Sequence, residues 1–368
     1  MPDTTPPKPR RSHSLITSLV IGLLLFAVLS LLFEGLYRWT RLEGIVPLRS
    51  VGLYHNQFEI KWFELQDFVR KNGGVDVILL GSSMVNTGID PDVLAEQYAL
   101  RTGQELRVFN FGVEGFTISP NAEIARLLVQ EYHPATLIFF TEMRDYVAAN
   151  GLEVEQQVLN DEWLAARLGA SPSFRAWLKD KSLQVQHLLP YRNWSRADFP
   201  DTFLMSLRRF ADTTDAGYEP DRKTAVQLDV PPDPANPDDR DLFAMFSDYA
   251  IDPARLADLA QIISLQQEGT RVIITELPLH PTYFTYFGGE EVHQAYLEQL
   301  VPFIESHAGV FLQPLSPDLV PPDHRSDRFH LNYKGAALYS QLLADQLSGL
   351  CQSENVCLLI NAPVEVAP

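Results

Sequence analysis

The chain has 368 residues, 46% of them hydrophobic, with 47 Asp and Glu against 29 Lys and Arg and a formal net charge of -18. That length suffices for one large α/β domain, or for one domain carrying a sizeable insertion. So acidic a balance repels nucleic acid and anionic lipid surfaces from the bulk of the chain, and no CxxC, HExxH or glycine-rich phosphate loop calls for a metal or a cofactor.

Leu15 to Phe33 carries no charged residue and is dominated by Leu, Val, Ile and Phe. At about 1.5 Å per residue it reaches across a bilayer core of roughly 30 Å. Tyr37 and Trp39 follow it, as suits a membrane interface. A cleaved signal peptide is the rival reading, but the stretch is longer than a usual signal core, and Glu34, Tyr37, Arg38 and Trp39 make a poor small-residue cleavage site. Residues 1–14 therefore read as a cytoplasmic tail, 15–36 as an uncleaved transmembrane anchor and 37–74 as a connecting segment. Lys8, Arg10 and Arg11 before the span favour a cytoplasmic N-terminus, while Arg38 and Arg41 after it argue the other way. Within the connecting segment, FEIKWFELQDFVRKN predicts a helix.

Val75 to Leu80 is the β-branched, nearly uncharged run of a strand buried on both faces of a parallel sheet. Gly81 lets the backbone turn, and DPDVLAEQYAL then predicts a helix with Asp90 as N-cap and Pro91 at its first position. A second strand follows in LRVFNFGVEG, a helix from Asn121 to Tyr132, and a third strand in ATLIFFTEM. From about 146 to 250 the alternation is lost: this insertion carries Trp163, Trp177 and Trp194, polar helical stretches, and a Pro/Asp-rich run, DVPPDPANPDDRD, that reads as a solvated loop. It either covers the site or elaborates the surface. Its tryptophans read first as packing residues, with stacking on a carbohydrate as the alternative. Alternation resumes with a helix from Asp252 to Glu268, a strand in RVIITELPL, a helix from Glu290 to His307, a short strand in VFLQPL, and a closing helix from Asn332 to Leu347. The predicted fold is α/β, a three-layer α/β/α sandwich on a parallel sheet over 75–350, preceded by one transmembrane helix. Cys351 and Cys357 in the tail 351–368 read as a short disulfide, which would place this part outside the cytoplasm; two unrelated buried thiols are the alternative.

The chemistry concentrates at two distant points. Ser83, in the GSSM turn at the carboxyl end of the first strand, sits where open α/β sheets place their ligands. A serine hydroxyl needs a base. His330 stands just before the closing helix, and Asp327, three residues earlier, is placed to fix its tautomer and stabilise the imidazolium. Asp323 and His324 lack that spacing and read as loop. His280, at the end of the fourth strand, has a structural reading and a substrate-contacting one.

With these blocks read, the chain resembles the SGNH hydrolase superfamily, the GDSL-type esterases and their relatives, over roughly residues 75–347 without the insertion. GSSM stands where the family has Gly-Asp-Ser, which implies Ser83 as nucleophile. NFGVEGFT matches the family's second block and implies Gly115 as an oxyanion donor beside the Ser83 amide. Asp327 and His330 match the last block. The third block departs: TEMRDY replaces Gly-x-Asn-Asp, and Arg144 falls near the missing asparagine, either as a replacement donor or as an ion-pair partner of Glu142 or Asp145. The resemblance implies a flavodoxin-like SGNH fold with a Ser83-His330-Asp327 triad.

The layout is similar to the membrane-anchored acyl-transfer members, of the D-alanine transfer protein and alginate O-acetyltransferase type. It implies an extracytoplasmic serine esterase or O-acyltransferase acting on acyl esters or surface glycans, beside a multi-spanning membrane acyltransferase. The alternative function is a catalytically weak SGNH-like domain that serves as a partner or scaffold in an envelope polysaccharide-modification complex.

Overall fold

The computed structural model describes residues 12–40, 48–53, 55–148, 151–354 and 357–359. Lys8, Arg10, Arg11 and Arg41 lie outside the described residues, as does most of the C-terminal tail. The first helix, α1 (Ser12–Thr40), contains one segment, Leu15–Leu36, long and apolar enough to cross a membrane, and none of its window is buried against the rest of the chain. The connecting segment folds as α2 (Asn56–Asn72), whose N-cap is His55.

Five parallel strands follow: β1 (Val77–Gly81), β2 (Val108–Gly112), β3 (Thr136–Phe140), β4 (Arg271–Thr275) and β5 (Val310–Phe311). Their order in the sheet is β2-β1-β3-β4-β5, with β1 at the reversal point between its two neighbours. All five residues of β1 are buried, as their apolar, β-branched character requires of a strand covered on both faces. Leu80 pairs with Phe111 and Phe139, so the carboxyl ends of three strands come level at one edge.

After β1 the chain makes a short helix, α3 (Ser83–Gly88), and then α4 (Pro91–Thr102). Asp90 caps α4 by accepting from the Asp92 and Val93 amides, with Pro91 at its first position. α5 (Ile118–Tyr132) follows β2. Between β3 and β4 the insertion folds as α6 (Leu152–Leu159), α7 (Glu162–Arg167), α8 (Phe174–Lys181), α9 (Leu183–Leu188), α10 (Phe199–Asp212) and α11 (Pro237–Phe246), before α12 (Pro253–Ser264) rejoins the sheet. The Pro/Asp-rich run is thus loop only in part, since α11 begins within it, at Pro237. α13 (Glu290–Ser306) leads to β5, and α14 (Tyr333–Glu354) closes the fold. α14 packs on α4 and α12 on α5, and helices cover both sides of the sheet. The last helix runs past residue 350 and carries Cys351, which forms a disulfide with Cys357.

The insertion has no separate apolar centre. Trp163 of α7 instead enters the main core, meeting Trp62 of α2 edge-on at 5.2 Å between centroids, with Phe58 at 6.2 Å. Trp163→Ala should therefore cost about 3–5 kcal/mol, the usual range for a large aromatic deleted from a core. Urea unfolding of the detergent-solubilised chain would show it as a lowered midpoint.

Candidate active site

Ser83 is the first residue of α3, and Ser82 caps that helix through its hydroxyl. What fixes α3 is Asn110 at the centre of β2. Its Nδ2 donates to Val85 O at 2.7 Å and to Ile89 O at 2.8 Å, and its Oδ1 accepts from Gly112 N at 2.9 Å. The sequence does not mark this short helix; it reads as a turn at Gly81 followed by the helix that Asp90 caps.

On the other side of the sheet edge, the Asp-x-x-His spacing has a direct physical meaning. Asp327 Oδ1 accepts from the backbone amides of Phe329 (2.9 Å) and His330 (2.7 Å), folding the chain into a tight turn. Its Oδ2 is then left to accept from His330 Nδ1 at 2.7 Å. With the proton on Nδ1, the Nε2 lone pair faces the Ser83 hydroxyl, 2.8 Å away across 247 residues of sequence. Burial pushes the Asp327 carboxyl up, but the hydrogen bonds from His330 and the two amides outweigh it and hold it below the usual carboxylate range. Asp327 is thus a carboxylate at neutral pH, the state needed to stabilise an imidazolium. Buried Arg325, drawn down to about 10 chiefly by desolvation, donates to Pro278 O at 2.7 Å and ties this turn to the end of β4. Asp323 and His324 pair with each other at 3.0 Å, outside the pocket.

Gly115 sits in a turn with φ +75°, a conformation that favours glycine. Among the described residues, neither its N–H nor that of Ser83 is committed to an acceptor within the chain. The neighbouring Glu114 peptide is held at both of its polar groups: its N–H donates to Gln57 Oε1, and His55 Nε2 donates to its carbonyl at 3.0 Å. His55 Nδ1 accepts from Phe58 N at 3.3 Å, so the ring is used as a neutral group. Burial is the main reason its pKa falls to about 4.

Ser83, Asp327, His330, Gln57 and Glu114 open onto a cavity of about 440 Å³ whose lining, apart from Pro220, is polar or charged; Gly115, next to Glu114 in the chain, and His55 are not part of that lining. The core contributes Gln57, Ser83, Asn86, Glu114, Asp327 and His330; the insertion supplies Arg209, Glu219, Asp221 and Lys223. Arg209 pairs with Glu114, and Glu219 Oε2 accepts from Gln57 Nε2 at 2.7 Å and from Asn86 Nδ2 at 3.0 Å. The roles of His55, Gln57, Arg209 and Glu219 at this cavity carry no sequence signature, because each is made through a partner more than fifty residues away.

Besides Gly115, Arg144 and His280 were singled out in the sequence and do not line this cavity. Arg144 Nε forms an ion pair with Glu142 Oε1 at 2.5 Å, and Tyr283 donates to the other oxygen of that carboxylate at 2.8 Å. Burial lowers the Arg144 pKa, and Glu142 more than reverses this, so the guanidinium stays charged in a buried structural pair. His280 caps a 3-10 turn, with Nδ1 bonded to the Thr282 hydroxyl at 2.8 Å.

No protein-family model matches the sequence, and no curated protein does. Among solved structures the chain is similar to a protein assigned as an acylhydrolase from Bacteroides fragilis, with 11% identity, a TM-score of 0.34, and coverage of 77% of this chain and 95% of that one. It is similar to a GDSL-like lipase from Bacteroides thetaiotaomicron, with 10% identity, a TM-score of 0.33 and coverage of 76% and 95%. A gut microbial diltiazem-metabolizing enzyme is similar at 12% identity and a TM-score of 0.35, over 74% of this chain but only 47% of that one. At such identities and TM-scores these likenesses assign neither family nor chemistry.

The His55 contact sets a pH dependence. Because its folded pKa lies below the unfolded value, the unfolded chain binds the extra proton first, and stability falls as pH drops from about 6.5 towards 4. The expected loss is on the order of 2 kcal/mol after allowing for partial exposure of the ring. His55→Asn keeps a capping oxygen and should flatten the dependence in this window, as read by urea midpoints across pH.

Proposed function

We propose that the protein is a membrane-anchored, extracytoplasmic serine acyl enzyme of SGNH type that acts on short acyl esters of hydroxyl-rich surface glycans. The observation that carries this reading is the Ser83-His330-Asp327 relay, with contacts of 2.8 and 2.7 Å built from opposite ends of the sequence. Ser83 Oγ attacks the ester carbonyl while its proton passes to His330 Nε2, and the carbonyl oxygen becomes an oxyanion facing the Ser83 and Gly115 amides. His330 returns the proton to the leaving alkoxide as the ester bond breaks, leaving the acyl group on Ser83. Water or a glycan hydroxyl then repeats the sequence in reverse, giving hydrolysis or transfer. For transfer, a multi-spanning membrane acyltransferase is the partner that would deliver the acyl group. The contacts of Arg144 support no part for it in the oxyanion hole, so two backbone donors carry this task.

Polarity of the cavity supports the substrate class. A long acyl chain gains about 0.8 kcal/mol per buried CH₂ only against apolar walls, and here the walls are carboxylates, amides, an arginine and a lysine. Acetyl-sized groups and polyol acceptors fit such a lining.

Ser83→Ala should abolish covalent labelling by a fluorophosphonate and lower ester turnover by at least about 10⁴-fold. An unlabelled parent chain, or labelling that survives in the variant, would remove the reading in favour of a scaffold. Among chromogenic esters, acetate should exceed octanoate in kcat/KM by at least about tenfold, which a chain-length series would check; here six extra methylenes find no apolar wall.

A further inference from the structure

The insertion meets the anchor, and the contact fixes its depth. Twenty residues from Leu15 at about 1.5 Å each span a hydrocarbon core of roughly 30 Å, which brings Glu34 to its edge. The Glu34 carboxylate accepts from Ser182 Oγ, Leu183 N and Gln184 N, each at 3.0 Å, at the start of α9. One turn later, Arg38 Nη2 donates to Lys181 O, the last residue of α8, at 2.7 Å. The α8–α9 corner therefore stands at headgroup level beside the span.

Around that corner the surface is apolar and aromatic where a water-facing helix pair would be polar. Phe174 and Trp177, three residues apart on one face of α8, stack with centroids 5.9 Å apart while exposed to solvent, Trp177 by 49%. Leu188 ends α9 exposed, Trp194 is 74% exposed, and Leu204 and Met205 stand exposed on α10. The charge also departs from that of the whole chain. Residues 171–212 hold seven Lys and Arg against four Asp and Glu, in a chain of net charge -18; with Lys179 buried and Arg209 bonded at the cavity wall, the cations exposed on this segment are Arg175, Lys181, Arg196 and Arg208.

We propose that residues 171–212 rest on the bilayer that α1 enters, with Phe174, Trp177, Leu188, Trp194, Leu204 and Met205 seated in the headgroup layer of an anionic membrane. The continuity of this patch with the α1 contact and its local positive charge select a lipid surface as the occupant. The arrangement also sets the height of the cavity. α10 carries Leu204 and Met205 on its exposed side and, one turn on, Arg209 bonded to Glu114 at the cavity wall. The proposal rests on the reading of α1 as a membrane anchor.

The test uses the full chain reconstituted in phosphatidylglycerol-containing vesicles with brominated acyl chains, comparing tryptophan quenching in the parent and in a Trp177→Phe/Trp194→Phe double variant. Trp62 and Trp163 are buried in the protein, and Trp39 beside the span reports the anchor alone. The expected result is that the double variant loses more than half of the quench, while the Trp39 share persists. Equal quenching of the two chains would overturn the proposal and leave the patch to a protein partner. Absence of quenching in both would remove the anchor reading, and this proposal with it.

Discussion

The seam between the carboxyl ends of β1 and β2 is the constraint on which the site depends. Asn110 spends its whole side-chain amide there, holding two carbonyls of the α3 region and one amide of its own strand. Leaving such buried groups unpaired costs about 1–3 kcal/mol each, so the clamp has no low-energy alternative. Gly112 makes the approach sterically feasible, since a Cβ there would lie 2.3 Å from Asn86 N and 2.9 Å from Ser82 O. The two residues together hold the start of α3 against the sheet. Ser83 is consequently presented by a rigid element, and the relay to His330 needs no rearrangement.

A second layer of the site is built from the insertion by the same economy of backbone pairing. Asn110 N donates to Ala216 O at 2.9 Å, so residues 214–219 lie along the open edge of β2 where a further strand would otherwise pair. Where the backbone pattern breaks, buried Lys61 bridges it, donating to Asn110 O at 3.0 Å and to Gly217 O. Burial draws this lysine down to about 7, and it spends its hydrogens on carbonyls rather than on a buried carboxylate. Beyond the strap, Glu219 closes onto Asn86 and Gln57, and Asp221 O accepts from Tyr333 N at 2.7 Å near the start of α14. The wall of the cavity is thus tied to α3, α2 and the start of α14 at once.

Periodicity explains what was legible in the sequence and what was not. All five strands and the longer helices around them are readable, because a fully buried β-strand writes a short continuous apolar run, and an amphipathic helix a 3.6-residue repeat, into a few consecutive residues. Asp327 and His330 were readable for a related reason, since their spacing is set by one local turn. Sequence leaves the role of Arg144 open between a replacement oxyanion donor and an ion-pair partner of Glu142 or Asp145, because the choice depends on which groups meet it in space. The pocket walls are invisible for the same reason: Arg209, Glu219 and Gln57 meet their partners only in the folded chain. In the Pro/Asp-rich run, composition argued for loop, yet Pro237 starts α11, as proline can at a helix N-terminus.

The insertion is therefore better understood as two surfaces than as a domain. Its inward side gives up Trp163 to the main core and Arg209 and Glu219 to the cavity, leaving no apolar centre of its own. Its outward side keeps bulky apolar groups that an independent water-soluble unit would bury. A segment so divided gains little by folding alone and much by lying between two larger bodies. One of these is the α/β core. The contact at Glu34 and Arg38 of α1 supplies the direction of the other, because those residues lie near the end of the only described helix apolar enough to enter a bilayer. On the proposed reading, a polar cavity beside a membrane-facing surface implies a division of labour, in which lipid would hold the protein in place while the cavity receives a water-soluble group.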